Sequence, residues 1–322
     1  MAFSLLILAF ALLALYAILR DVDFNKLIAA IEAQSSHKIA IAGLFVIAGY
    51  VTLTLYDVFA LYTIGHHRIP YPIAALASFT SSTIGHNLGA TVLTAGLVRL
   101  RIYGGWGLTV ADVARIAVLT GMTFWLGNAF LLGGTIAYAP DVASAVDHLS
   151  PLINRAAGLL GLLAISGYLA WLAPRRRAIG RSGWRLVLPS MRATLLQIAI
   201  GATDLCMVTL AMYTLLPPIP SVGFLTVLIT FLTASLLGTV SHAPGGLGVI
   251  EATMLLELPQ FQKEEMVAAL LTFRVLYFMI PLFLAALALG LRELSLLVRT
   301  PSPDPFPPPR GSRNLVRRGR SS

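Results

Sequence analysis

Long apolar runs are the feature that most limits what this chain can fold into. They cover residues 2–19, 39–64, 73–98, 113–137, 153–173, 195–216, 222–240, 247–258 and 266–291. About 20 apolar residues in a helix cross a bilayer core about 30 Å thick. Lipid offers no water to a free backbone group, so helix is the state these runs must take. Only 11% of the 322 residues are charged, against about 25% in a soluble domain. Soluble enzymes, disordered chains and coiled coils are thereby excluded. The expected fold class is an all-α polytopic integral membrane protein with about six full spans. The single cysteine, Cys206, excludes a disulfide framework, a cysteine zinc site and an iron–sulfur cluster. No metal site and no cofactor is expected.

The run at 2–19 is expected to be a retained span and not a cleaved leader. No Lys or Arg precedes Arg20, and a signal peptide needs a basic n-region and a cleavage site. Residues 1–295 read as one transmembrane domain. Residues 296–322 read as a cytoplasmic tail: Pro301, Pro303, Pro305, Pro307, Pro308 and Pro309 precede five Arg among Gly, Ser and Asn. That composition cannot bury a core, so disorder is expected there.

Loop charge sets orientation, because Lys and Arg stay on the cytoplasmic side. Arg175, Arg176, Arg177, Arg181, Arg185 and Arg192 place one loop inside, and the tail joins it. The 138–152 loop carries Asp141 and Asp147 without Lys or Arg and faces outward, as does the uncharged 217–221 loop. The chain is therefore outside at Pro218 and inside by Arg299, with one full span at 266–291 between them. Parity requires 222–258 to return to its own side. Pro244, Gly245, Gly246 and Gly248 lie at the midpoint of that stretch, so it reads as a re-entrant or broken helical element. Such backbone is tolerated only where protein covers it or a cavity adjoins it.

A shift of 152 positions overlays the pattern on itself. Residues 2–19 fall near 154–171, 39–64 on 191–216, 73–98 on 225–250 and 113–137 on 265–289. Gly96 lands on Gly248, Arg99 on Glu251, and Asp112 on Glu264. Each half, about 1–138 and 153–291, would hold three crossings and one re-entrant element, so the second is upside down relative to the first. Both termini are then cytoplasmic. This topology puts sixteen Lys and Arg in inner loops and four in outer ones. Inverted repeats with interrupted helices are the usual build of secondary transporters, with the site near the midplane.

Polar residues inside the apolar runs are the candidate site. A half-helix starting near Leu247 would point free N–H groups and a positive dipole end into a cavity, where a phosphate could sit. Glu251, one turn in, would hold a cation, cap the dipole, or pair with an internal Arg. Arg99 and Arg101 close a small-residue run that follows His86. An Arg fork holds phosphate at two points; equally, both could anchor at the lipid headgroups. Arg101 reads as such an anchor, Arg99 as functional. Asp57, Arg115, Asp204 and Arg274 also interrupt apolar runs. A mid-bilayer charge costs about 2.5–3.5 kcal/mol, so they read as interhelical ion pairs or as a proton- or ion-coupled pathway. His86 and His242 read first as hydrogen-bonded core histidines, without the acidic or cysteine neighbours of a metal site. The Arg-rich segments lack the aromatics or module of a nucleic-acid binder and suit anionic lipid headgroups.

Two passages carry a resemblance. Gly96-Leu97-Val98-Arg99-Leu100-Arg101-Ile102-Tyr103, followed by Gly107-Leu108-Thr109 and Asp112, and Pro244-Gly245-Gly246-Leu247-Gly248-Val249-Ile250-Glu251, resemble signatures of the transmembrane half of bacterial lysylphosphatidylglycerol synthase, the multiple peptide resistance factor. The resemblance covers about residues 1–295. It implies a multi-pass protein of the bacterial inner membrane that moves aminoacylated phospholipid between leaflets. Arg99, Arg101, Gly245, Gly246, Gly248 and Glu251 are the positions it carries over. The synthase has a soluble aminoacyl-transferase domain where this chain has its short tail, so no synthase activity is expected. The leading expectation is a flippase-like phospholipid transporter that is not an enzyme. It would act on membrane phospholipids, with a separate lipid synthase as a possible partner. A membrane-embedded lipid-modifying enzyme and a non-transporting partner of a lipid synthase are the alternatives. No P-loop pattern for an ATP site occurs.

Overall fold

The computed structural model describes residues 23–88, 91–175, 177–181 and 184–299. The run at 2–19 and the Pro/Arg tail lie outside the described residues. The elements run α1 (Phe24–Glu32), α2 (Ser36–Thr63), α3 (Tyr71–Leu88), α4 (Thr91–Tyr103), α5 (Val110–Tyr138), α6 (Pro140–Asp147), α7 (Pro151–Leu172), β1 (Ala178–Arg181), β2 (Trp184–Val187), α8 (Met191–Leu215), α9 (Phe224–Ser241), α10 (Val249–Glu257), α11 (Lys263–Arg274) and α12 (Ile280–Arg299). A π-helical turn, Val275–Met279, joins α11 to α12. The chain is an all-α polytopic membrane protein. Six described helical stretches are long and apolar enough to cross a bilayer: α2, α5, α7, α8, α9 and the continuous Lys263–Leu296.

Helix starts follow from local chemistry. Thr109 and Asp112 form a reciprocal capping box at the head of α5. The Ser150 and Ser190 hydroxyls accept from the N–H groups of Ile153 and Ala193. Each side chain satisfies a backbone donor that has no partner within its helix.

Two helical hairpins enter from opposite ends of α2 and turn back: Lys38 at its start donates to the Leu216 carbonyl before the second, and Ala60 and Leu61 at its end pack with Ala74 and Ala77 of the first. In the first, α3 descends and α4 returns. Ala74 and Ala77 near the start of α3 share a buried cluster with Ile102 and Tyr103 at the end of α4, so both ends lie at one face. In the second, α9 descends and α10 returns. Leu216, just before the hairpin, and Leu258 and Phe261, just after it, share a cluster. At 1.5 Å per residue, the 13 residues of α4 and the 9 of α10 reach about 20 and 14 Å, short of a full crossing. The expected re-entrant elements are these hairpins. Helix α9 reaches spanning length, but α10 folds back along it.

Shifting element bounds by 152 residues sets α2 on α8, α3 on α9, α4 near α10 and α5 on α11 through α12. Helices α2 and α8, equivalents under this shift, pack together at the centre of the molecule. Helix α5 meets α8 at Gly127 and Gly201. A Cβ on Gly201 would collide with the Thr123 carbonyl, so only glycine lets these backbones approach. That is how small residues bind helices in lipid, where no hydrophobic drive separates protein from tail. On the other side, α2 meets the π turn through Tyr50, whose hydroxyl donates to the Tyr277 carbonyl at 2.9 Å.

The Arg-rich loop carries secondary structure of its own. It holds a two-stranded antiparallel ribbon in the register Ala178↔Val187 to Arg181↔Trp184. Leu186 packs beside Ile116 of α5, and Arg115 Nε donates to the Arg185 carbonyl. Burial of alternate strand residues pins the loop. The segment 152 positions earlier, α1, packs against α11, where Thr272 bonds Gln34. Helix α12 runs through Arg299, so 296–299 belong to the helix and not to the tail.

Candidate functional site

Two ion pairs pin the hairpins, one buried and one half-buried. On α4, Arg99 and Tyr103 stand four residues apart and so share one helix face. Arg99 Nε donates to both oxygens of Asp57, at 3.1 and 3.0 Å, and Nη2 to Oδ1 at 2.7 Å. The Tyr103 hydroxyl donates to Oδ2 at 2.7 Å. Asp57 is fully buried and Arg99 nearly so. This bidentate geometry is the strong form of a charge-assisted hydrogen bond.

The second hairpin uses the opposite arrangement. Its carboxylate, Glu251, is on the hairpin, and the cation comes from outside. Arg274 Nε pairs with Glu251 Oε1. Glu251 Oε2 accepts from the Gly248 N–H at 2.8 Å, and Arg274 Nη1 donates to the Gly245 carbonyl at 3.3 Å. The Arg274 guanidinium also lies 5.3 Å from the Phe278 ring centroid, within cation–π range. Gly245 sits at φ 59, in the left-handed region that a side chain rarely adopts. The tight Pro244–Gly246 turn depends on it.

Between the hairpin tips lies a cavity of about 330 Å³, lined by residues of both. His86 and Arg99 come from the first hairpin; His242, Gly245 and Gly246 come from the second. Asp204 of α8 and Tyr56 of α2 close the wall between them. The Tyr56 hydroxyl donates to Asp204 Oδ2 at 2.9 Å. Among the described residues no Lys, Arg or His forms an ion pair with Asp204. His242 caps α9 in a left-handed conformation, with Nδ1 2.9 Å from the Val240 carbonyl.

An apolar groove of about 580 Å³ adjoins this cavity, bounded by α2, α3 and the start of α12. Ile47, Val51, Leu76, Phe79 and Leu284 are among its walls. Tyr50 lines the groove, Tyr277 lines the cavity, and the Tyr50–Tyr277 hydrogen bond forms part of the partition.

Several sequence expectations need correction. At the head of α10 Glu251 turns back to cap the Gly248 N–H, the capping role among those expected of it, and pairs with Arg274. Gly248 and Glu251 stand behind the cavity wall and not in its lining. Arg101 lies on the exposed end of α4 and forks onto Glu293, at 3.3 and 2.6 Å; it does not reach the cavity, since α4 turns its face away there. Arg115 is not a mid-span charge. It sits in the second turn of α5, at the face of the ribbon, and pairs with Asp112 at 2.7 Å. His86 and His242 both line the cavity; His242 is exposed and not a packed core histidine, whereas His86 is half-buried. The placement opposite each other of Arg99 and Glu251 by the repeat does not become a contact: each is held by its own partner. Sequence reasoning missed Tyr56 and Tyr103. The i,i+4 spacing of Arg99 and Tyr103 was the available signal for one; for Tyr56, whose partner is 148 residues away, there was none.

No protein-family model matches the chain. The chain is 28% identical over 277 residues to the uncharacterized protein slr0712 of Synechocystis sp., covering 86% of each. It is 31% identical over 287 residues to the inner membrane protein YbhN of Escherichia coli, covering 88% of each. The hairpins, ion pairs and cavity all fall in a chain whose likeness to that protein runs nearly end to end: this chain belongs to the family of the inner membrane protein YbhN.

Proposed function

We propose that this protein is a lipid translocase of the inner membrane, moving a phospholipid between leaflets with its headgroup in the hairpin cavity. The observation that carries this reading is a cavity that brings Arg99, Asp204, His86 and His242 into an otherwise apolar lining, set beside an apolar groove across the Tyr50–Tyr277 partition. A lipid has one polar end and one apolar end, and only a membrane-embedded site that serves both lets the headgroup leave water at modest cost. The resemblance of the Arg99 and Glu251 passages to the transmembrane half of lysylphosphatidylglycerol synthase supports an aminoacylated or related phospholipid as cargo, supplied by a separate synthase. Its two halves read as inverted repeats with both termini cytoplasmic, and the face carrying Arg101, Arg115 and Arg185 is the cytoplasmic one by the positive-inside rule. On this reading the protein makes and breaks no covalent bond.

Arg99 serves as the phosphate-facing residue through its cavity side, with its charge balanced by Asp57 from behind. Arg274 and Glu251 hold the second hairpin in shape and do not meet the headgroup.

The test is a leaflet assay in proteoliposomes with fluorescent phospholipid and a membrane-impermeant quencher. Gly121 lines the cavity, and a Cβ there meets nothing within 4 Å. Gly121→Phe is therefore expected to fill the cavity, keep the fold and abolish lipid movement. Movement that continues unchanged in that variant removes the cavity from the route. Conversion of the labelled lipid to a new species favours a lipid-modifying enzyme instead.

A further inference from the structure

Among the described residues, one buried carboxylate has no cation: Asp57, Asp112 and Asp204 are the buried acids, and Asp112 has Arg115. Arg99 has Asp57 and Arg274 has Glu251. Asp204 lines the cavity at 6% exposure and accepts from the Tyr56 hydroxyl alone among the described residues. A phenol is a neutral donor and cannot neutralise an anion. An uncompensated charge at this depth is expensive, and a carboxylate in that position takes up a positive charge or neutralises itself. The ionisable groups around it are Tyr56 and Tyr50 from α2, Tyr277 from the π turn, His86 and Arg99 from the first hairpin and His242 from the second. The one fixed cation among them, Arg99, is already engaged by Asp57. The tyrosines are neutral donors. The histidines make no ion pair with Asp204.

We infer that Asp204 is an exchangeable proton site, which couples movement of cargo through the cavity to movement of a proton. The proton comes from water on one side and makes Asp204 a neutral acid in the loaded or empty cavity. It leaves to water on the opposite side when the cavity opens there. The Tyr56 hydroxyl donates to the acid's carbonyl oxygen, fixing which oxygen carries the proton. The coupling step rests on the translocase reading; the proton site itself does not.

Infrared difference spectroscopy of the purified full chain in lipid nanodiscs, over a pH titration, reads the site without any transported lipid. A carboxylic-acid carbonyl band that appears on acidification is expected in the wild type, lost in Asp204→Asn and moved to higher frequency in Tyr56→Phe. The other carboxyl groups also protonate, so the wild type is read against Asp204→Asn: no band lost between the two, or a lost band unmoved in Tyr56→Phe, overturns the assignment. The second measurement is the leaflet assay under an imposed pH gradient. The gradient is expected to speed lipid movement in the wild type and to have no effect in Asp204→Asn. Equal responses in the two proteins overturn the coupling. A titrating Asp204 band in a protein that moves no lipid keeps the proton site and removes the translocase reading. Lipid movement without a titrating band does the reverse.

Discussion

The two hairpins solve one problem with opposite signs. In α3–α4 the cation is on the hairpin and the carboxylate, Asp57, is on α2. In α9–α10 the carboxylate is on the hairpin and the cation, Arg274, is on α11. A broken helix inside a membrane has to be fastened to its neighbours, and a charge does this only when its counter-charge comes along. Neutrality is thus the constraint, and the sign is free. The hairpins differ in depth of burial too. The Asp57 and Arg99 side chains are 0% and 6% exposed, whereas Glu251 and Arg274 are each 15% exposed. Their tips differ as well. The first carries His86 and Asn87, with Asn87 Nδ2 reaching the Phe278 carbonyl; the second is a glycine turn braced by Arg274 through the Gly245 carbonyl.

Breaking the deeper pair tests this contrast most severely. Asp57→Ala leaves Arg99 buried without a counter-charge and Tyr103 without an acceptor, at a cost of about 3–5 kcal/mol. A large fall in the thermal midpoint in detergent is expected, with much of it regained in the double variant Asp57→Ala/Arg99→Ala. In the second hairpin, Glu251→Gln removes the charge but keeps an oxygen for the Gly248 N–H. Arg274 keeps its bond to Gly245. A smaller loss of about 1–3 kcal/mol is expected, read by the same melt. If the two single variants lose equally, burial does not distinguish the hairpins. The smallest effect belongs to Arg101→Ala. Its pair with Glu293 lies at the exposed end of α4, where water and salt screen it, and no measurable change in the midpoint is expected. A clear fall there shows that the end of α4 is fastened from outside as well as from within.

Much of the frame was legible before any coordinates. The 222–258 stretch had to return to its own side by parity, and Pro244 through Gly248 marked the point of return. The 152-residue shift located the first hairpin from the second. The site was less legible. His86, His242, Arg99, Gly245 and Gly246 all line the cavity, but Arg101, Gly248 and Glu251 were grouped with them by motif and belong elsewhere. Motif neighbours share a sequence address; on a helix, adjacent residues point about 100° apart. Arg99 therefore faces inward while Arg101 faces outward, onto Glu293. The ribbon in the Arg-rich loop was hidden for a different reason: two buried leucines at alternate positions are a weak signal among six arginines.

The sequence by itself determined that this chain crosses a membrane several times, that it breaks its helix at Pro244–Gly246, and that few charges are left inside. Those outcomes rest on the transfer energetics of the chain's own segments, which depend on local composition. Which charges pair was decided only by the tertiary structure. Asp57 and Arg99 are 42 residues apart and Glu251 and Arg274 are 23 apart, and helix rotation brings each pair face to face. Among the described residues, the same packing leaves Asp204 with a phenol in place of a cation. Which group meets a buried carboxylate depends on every element packed around it.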